Sequence, residues 1–229
     1  MTPPALGHRH VQYELTDGGH ERIATVDIET TGYDPDESEL VAVGIGVHER
    51  GTPASAVDCR RFYRESSDDE AATIRAAVSA LDELDADQLV SFNGDEFDLP
   101  YLRDRLAALG ESPPAVALAE ANAHVDLFVP RKVRAEARGE PWPGLEACLR
   151  SYDIQPATTV WQGEKVDNTL FGERLGPRYL EAVATGEPTR PRDAIDHYLV
   201  SDLEANLALY YADIGAAFTP THAGDRAEF

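Results

Sequence analysis

Cysteine, lysine and long apolar runs are all scarce in this sequence. Among its 229 residues stand two cysteines, Cys59 and Cys148, too few for a framework of bridges, and both are read as reduced thiols. The longest uninterrupted apolar stretch, Leu40 to Val47, contains two glycines and falls far short of the ~18 residues that span a membrane. The opening MTPPALGHRHVQ lacks the basic start and apolar segment of a signal peptide, so a cytoplasmic protein without membrane contact is expected. No internal repeat or low-complexity tract is present, which argues against a solenoid or a disordered tail. The length suits one large domain or two small ones and excludes a multi-domain polymerase.

Positive charge is the other shortage. Lysine and arginine total 20 against 42 acidic residues, for a net charge of -22, and Lys132 and Lys165 are the only lysines. An acid excess this large repels itself in dilute salt. It suits molar salt, where the Debye length falls to ~3 Å and a dense acidic surface is screened. A halophilic protein is therefore expected. The alternative, an acidic protein held by a basic partner, fits less well because the acids are spread along the chain instead of gathered in a tail.

What is present is a sharp alternation of patterns. Residues 1–22, with His8, His10 and His20 among turn formers, read as an arm or edge strand, and the three histidines as a weak metal motif. IATVDIE, LVAVGIGV and CRRFYRE are β-branched or alternating runs separated by Gly, Pro and Asp, which predicts three strands. DDEAATIRAAVSALDEL has the spacing of an amphipathic helix, QLVSF reads as a fourth strand, and FDLPYLRDRLAALG starts near Pro100 and stops at Gly110 as a helix does. AHVDLF is a fifth strand. RKVRAEAR, GLEACLRSYDI and TLFGERLGPRYLEAVAT follow as shorter helical pieces, with Gly139 to Gly144 as the best place for a hinge. The segment from Arg192 to Phe218 is a long helix with an apolar line through Ile195, Leu199, Leu203 and Leu207. This order predicts one α/β domain over 23–218, a mixed sheet flanked by helices, followed by a tail at 219–229.

Three acidic clusters stand out by context, since roughly eight acid-x-acid pairs arise by chance in a chain this acidic. Asp27 and Glu29 sit at i and i+2 at the end of an apolar strand and project from one face, while Val26 and Ile28 enter the other. Held side by side near a core they repel, so either a proton or a cation must lie between them; with oxygen ligands alone, Mg2+ or Mn2+ fits. The plain alternative is a strand end whose acids face water. In SFNGDEFDLPYL, Asp98 is a metal ligand or the cap of the helix that Pro100 opens. Asn93-Gly94 supplies a tight turn whose amides can approach a phosphate or a base, and Phe92, Phe97 and Tyr101 are base-stacking faces or core. In HYLVSD, Tyr198 and Asp202 share one helix face, with Asp202 beside Leu199 and Leu203 of the apolar line, either half-buried and in need of a partner or an ordinary surface acid.

In that order, DIET, NGDEFDLPYL and YLVSD resemble the three exonuclease motifs of the DEDD superfamily, whose members share a ribonuclease-H-like fold. The middle motif is similar to that of the proofreading domain of family B DNA polymerases, and stand-alone predicted exonucleases are also similar, which together point to a haloarchaeal exonuclease. The resemblance spans about residue 23 to residue 212 and implies catalytic roles for Asp27, Glu29, Asp98 and Asp202, with Asp126 structural. It also implies a Tyr or a His beside the attacking water. Both Tyr198 and His197 are present; a regular helix turns His197 roughly 140° away from Asp202, which favours Tyr198.

The function so implied is two-metal phosphodiester hydrolysis from the 3′ end of single-stranded DNA or RNA. The four acids would hold two Mg2+ or Mn2+ ions ~3.5 to 4 Å apart. Thr30, Asn93, Phe97 and Tyr101 are the expected nucleic-acid contacts. RKVRAEAR, with Arg131, Lys132, Arg134 and Arg138, is either a strand guide or a solvated helix face. Proofreading would need a separate polymerase, and helicase or repair partners are equally open. Two rivals are a non-catalytic nucleic-acid-binding or scaffold protein on the same fold and a ribonuclease-H-like endonuclease. The charge reading makes its own prediction: the melting temperature, followed by circular dichroism, should climb between about 0.15 M and molar KCl as the Debye length shrinks. A maximum at physiological salt would contradict it.

Overall fold

The computed structural model describes residues 11–112, 116, 118, 123–187 and 191–229. His8 and His10 of the N-terminal motif lie outside the described residues. The first three strands form a meander: β1 (Arg22–Thr30), β2 (Leu40–Glu49) and β3 (Asp58–Tyr63), paired antiparallel. Helix α1 (Glu70–Asp82) then crosses to β4 (Gln88–Ser91), which lies parallel to β1, and α2 (Leu99–Ala108) leads towards β5 (His124–Asp126), parallel to β4. The resulting sheet has the order β3-β2-β1-β4-β5. Helices α3 (Val129–Arg138), α4 (Leu145–Ser151), the short α5 (Asn168–Leu170), α6 (Gly176–Thr185) and the 23-residue α7 (Pro191–Asp213) complete the layers. The fold is an α/β mixed sheet flanked by helices, as the sequence pattern predicts.

Strand β2 lacks strand-like alternation because both of its faces are covered: Leu40 to Val47 are all buried. On one face Val26, Ile28, Val43 and Ile45 pack with Ile74, Leu81 and Leu102 of α1 and α2. On the other lies α7. Its apolar line, Ile195, Leu199, Leu203 and Leu207, is fully buried. The helix comes so close that a methyl group added at Gly44 would lie 2.9 Å from Leu199 Cγ and from Leu203 Cδ1. Gly44 is the cross-strand partner of Asp27, so the missing side chain opens the face on which Asp27 stands.

Two buried ionic clusters tie these layers together. Glu70, at the start of α1, accepts from the Leu40 amide at 2.7 Å and from Arg105 Nε at 2.8 Å, and pairs with buried Arg64 at 3.2 Å. Arg131 of α3 donates to Asp213 Oδ1 at 2.5 Å, to the Leu127 carbonyl and to the Val11 carbonyl, which fastens the end of the N-terminal arm to α7. Thus Arg131, one of the four residues of the basic run, is a structural ion. Cys59 and Cys148 are free, and burial pushes both thiols up to about 11, out of reach of thiolate chemistry at neutral pH.

A second sheet, β7-β6-β8, has no counterpart in the sequence reading. It consists of β6 (Thr158–Trp161), β7 (Glu164–Lys165) and β8 (Arg226–Glu228), the last falling inside the segment read as a tail and pairing parallel to β6. Strands of two to four residues carry too few positions to show a period. Among the described residues no helix is long and apolar enough to cross a membrane. Removing Glu70 leaves Arg64 and Arg105 without their shared carboxylate, so Glu70→Ala should cost about 3 to 5 kcal/mol in a denaturant titration; a loss under about 1 kcal/mol would show the cluster to be incidental.

Candidate active site

The end of β1 delivers Asp27 and Glu29 to the α7 side of the sheet, just before an irregularity in the β1/β2 register at Glu29/Thr30. Strand alternation puts both carboxylates on that face while Val26 and Ile28 go into the core behind. Helix α7 brings Asp202 above them, one turn beyond Tyr198. Ligand oxygens of Asp27, Glu29 and Asp202 all lie within 4.8 Å of one another.

Asp98 arrives differently from a helix cap. The loop after β4 turns at Asn93, whose φ of 76° is a left-handed conformation that asparagine tolerates, and continues through a π-helical turn, Gly94–Asp98, into α2. Asp98 makes no capping hydrogen bond to α2; its Oδ1 accepts from the Ile28 amide at 3.1 Å, in the gap between Asp27 and Glu29 along β1. The loop itself is organised by Asp126 at the end of β5, which accepts from the amides of Asn93, Asp95, Phe128 and Val129 at 2.8 to 3.3 Å. Asp126 thus builds the loop that presents Asp98.

Burial raises every acid of the set, and repulsion from neighbouring carboxylates adds to it. Asp27 is held well above the usual carboxylate range by burial and then by Asp98, Asp202 and Glu29, and Glu29 by burial and then by Asp202 and Asp98. Burial pushes Asp98 up to about 7 despite the two amide hydrogen bonds that oppose it, and Asp202 up to about 7 with Glu146 adding to the effect. Glu29 Oε1 is buried with no hydrogen-bond partner. A converging, oxygen-only set with an unsatisfied carboxylate oxygen suits a hard divalent cation, which would replace the protons that burial otherwise demands.

These four acids line a cavity of about 650 Å³ together with Thr30, Asn93, Phe97 and Tyr198. Tyr198 stacks on Phe171 at 5.7 Å and donates to Asn168 Oδ1 at 3.0 Å; burial, then Asp202, Glu29 and Asp27, push its phenol well above its ordinary value. His197 faces elsewhere. Its Nδ1 meets Thr159 Oγ1 at 2.7 Å on β6, its ring sits edge-on to His222, and it does not line the cavity. Tyr101, expected to touch nucleic acid, does not line it either: it is 2% exposed, packed among core side chains, with its hydroxyl on Ser38 Oγ at 3.0 Å. The π-helical turn sets this rotation, leaving Phe97 at the cavity wall and turning Tyr101 inward. Missed from the sequence were Tyr33, 73% exposed and edge-on to Phe97, and Trp142, 56% exposed on the opposite α3–α4 connection; both line the cavity from loops without any periodic signal. Glu146 on α4 and Lys165 on the two-residue β7, paired at 2.6 Å, line the cavity too and were not singled out from the sequence.

The RNase H superfamily matches residues 24–171, from β1 to Phe171. The chain belongs to the RNase H superfamily. Asp202 and Tyr198 lie beyond the matched segment, on α7. Among solved structures, this RNase H superfamily protein is similar to a family B DNA polymerase of the archaeon Pyrobaculum calidifontis, with 20% identity and a TM-score of 0.52 over 84% of this chain and 24% of that one. It is also similar to E. coli exonuclease I in complex with a dT13 oligonucleotide, with 17% identity and a TM-score of 0.44 over 84% of this chain and 40% of that one. The chain therefore spans about a quarter of the polymerase and less than half of the exonuclease. No curated protein matches it.

The raised carboxylates make the metal-free fold sensitive to pH. A carboxyl whose folded value lies above its unfolded one near 3.8 gives stability at low pH that is lost as pH rises through about 7. In chelator, the melting temperature should therefore fall from pH 5 to pH 8. Asp98→Asn should flatten part of that fall and melt ~5 °C higher at pH 8, each unit of displacement being worth ~1.4 kcal/mol. An unchanged slope would contradict the electrostatic account.

Proposed function

We propose that this chain is a divalent-metal-dependent 3′-to-5′ exonuclease acting on single-stranded nucleic acid. The observation that carries the reading is the meeting of Asp27, Glu29 and Asp202 within 4.8 Å in an open cavity, with Asp98 and Tyr198 lining the same walls. Asp27, Glu29, Asp98 and Asp202 would hold two Mg2+ or Mn2+ ions, which when bound supply positive charge against the phosphodiester and make water easier to deprotonate.

The protein's own groups do the rest. Asp98, fixed by the Ile28 amide, keeps its carboxylate beside the β1 pair instead of rotating away. Tyr198 stays protonated across the working pH range because a phenolate among carboxylates is disfavoured, so its hydroxyl is a stable partner that orients the attacking water. The wall formed by Phe97 takes the terminal base, and Thr30 and Asn93 border the sugar and phosphate. Attack of water on phosphorus breaks the bond to the 3′ oxygen and releases a 5′-nucleotide. End-directed cleavage is favoured over internal cutting by the likeness of NGDEFDLPYL to the polymerase proofreading motif. A polymerase, helicase or repair protein would be the natural partner of such an activity.

Incubating a 5′-labelled oligonucleotide, as DNA and as RNA, in molar KCl with Mn2+ should give a ladder shortening from the 3′ end that chelator abolishes. Asp27→Ala should remove the activity with the circular dichroism spectrum unchanged, and Tyr198→Phe should lower kcat by about 10²-fold or more while His197→Ala retains it. Discrete internal fragments would mean an endonuclease. Metal binding by folded protein without any cleavage would mean a binding protein.

A further inference from the structure

In a chain with twice as many acids as bases, an arginine outside any ion pair is unusual. Among the described residues, every lysine and arginine except two lies in an ion pair with a carboxylate. The two exceptions, Arg134 and Arg138, are successive turns of one face of α3, and both are exposed. Arg134 is held by neutral groups only: its Nη1 donates to the Gln12 carbonyl at 2.8 Å and its guanidinium lies 4.4 Å over the Tyr13 ring. Both arginines line a second hollow of about 150 Å³, with Arg131, Glu140, Pro141 and Pro143 among its other walls. Arg131 is neutralised by Asp213, and Lys132, the remaining cation of the run, by Glu96.

This hollow adjoins the carboxylate cavity, since Pro143 and Ala147 line both. Trp142, next to Pro143 in the chain, lines the carboxylate cavity, edge-on to Phe128 at 6.0 Å, with Lys132 Nζ 4.5 Å from its ring centroid. Positive charge left unpaired beside a cavity whose floor is anionic matches a ligand that is itself an extended anion.

We propose that the Arg134–Arg138 hollow holds the sugar-phosphate backbone of the substrate strand upstream of the scissile nucleotide, with the strand leaving the cavity past Trp142. The proposal rests on the exonuclease reading and adds the direction of the strand. Guanidinium groups on one exposed helix face can each meet a phosphate, and the orientation of Arg134 is set in advance by Gln12 and Tyr13. Arg131 and Lys132 contribute no net charge, so two of the four cations of this helix carry the contact.

The test compares the unaltered full chain with Arg134→Gln/Arg138→Gln and with Arg134→Lys/Arg138→Lys. Two probes are used: a thymidine dinucleotide and a 5′-fluorescein-labelled oligothymidylate of about 12 nucleotides, within the usual span of a single-strand site. Hydrolysis is read with Mn2+, and anisotropy of the longer probe is read in chelator across a KCl series. The glutamine pair should raise KM on the longer strand about tenfold with kcat and dinucleotide hydrolysis unchanged, as expected for contacts that only bind. It should also reduce the slope of log affinity against log salt by about 1.4, two phosphates at ~0.7 each for a single strand. The lysine pair should restore the slope. An unchanged slope, or equal losses on both probes, overturns the proposal while leaving the exonuclease reading intact if the ladder persists. A reduced slope with no hydrolysis by the unaltered chain refutes the exonuclease reading and leaves a binding groove.

Discussion

The closeness of α7 to the sheet is the constraint on which the site depends. Leu199 and Leu203 sit where a side chain on Gly44 would be, and Gly44 is the residue opposite Asp27 on the neighbouring strand. A helix 23 residues long therefore lies flat against the acid-bearing face of β1, with Tyr198 and Asp202 on the turns that reach past the apolar line. Apolar burial pulls the helix down; carboxylate repulsion beneath it resists. The compromise is a set of buried acids held above the usual carboxylate range, with Glu29 Oε1 still unsatisfied.

Positive charge is distributed by the same economy. Where the fold needs a cation, as at Arg64 or Arg131, it buries one and surrounds it with acids and carbonyls. Among the described residues nearly every remaining base is matched locally by an acid, so the surface between them presents little field of its own. The few exceptions therefore stand out as features of the surface, and in this chain they lie next to the carboxylate cavity.

Much of this was legible in the residues and some was not. The meander, the crossover helices and α7 follow from periodicity over ten or more residues, and the convergence of Asp27, Glu29 and Asp202 follows from strand alternation and helix spacing. Asp98 was read as either a metal ligand or a helix cap, because a sequence cannot show that the turn before α2 is π-helical, with the carboxylate on the Ile28 amide instead of on α2. The same extra residue turns Tyr101 from a wall into a core position. The second sheet escaped because β6, β7 and β8 are too short for a period, and Tyr33 and Trp142 because loops have none. His197 and Tyr198 face different ways, as helix rotation predicts, and the unforeseen β6 explains where the histidine goes: it braces α7 against Thr159.

The order in which these elements occur along the chain has a consequence for its synthesis on the ribosome. Asp27 and Glu29 are made before Asp202, and the pairing of β1 with β2 and β4 involves nothing beyond β4. Asp202 follows them in the chain, on the helix that seats itself over Gly44. A nascent chain that has folded its sheet thus holds only part of its carboxylate set, and the cavity acquires its full charge when α7 has emerged and closed over it.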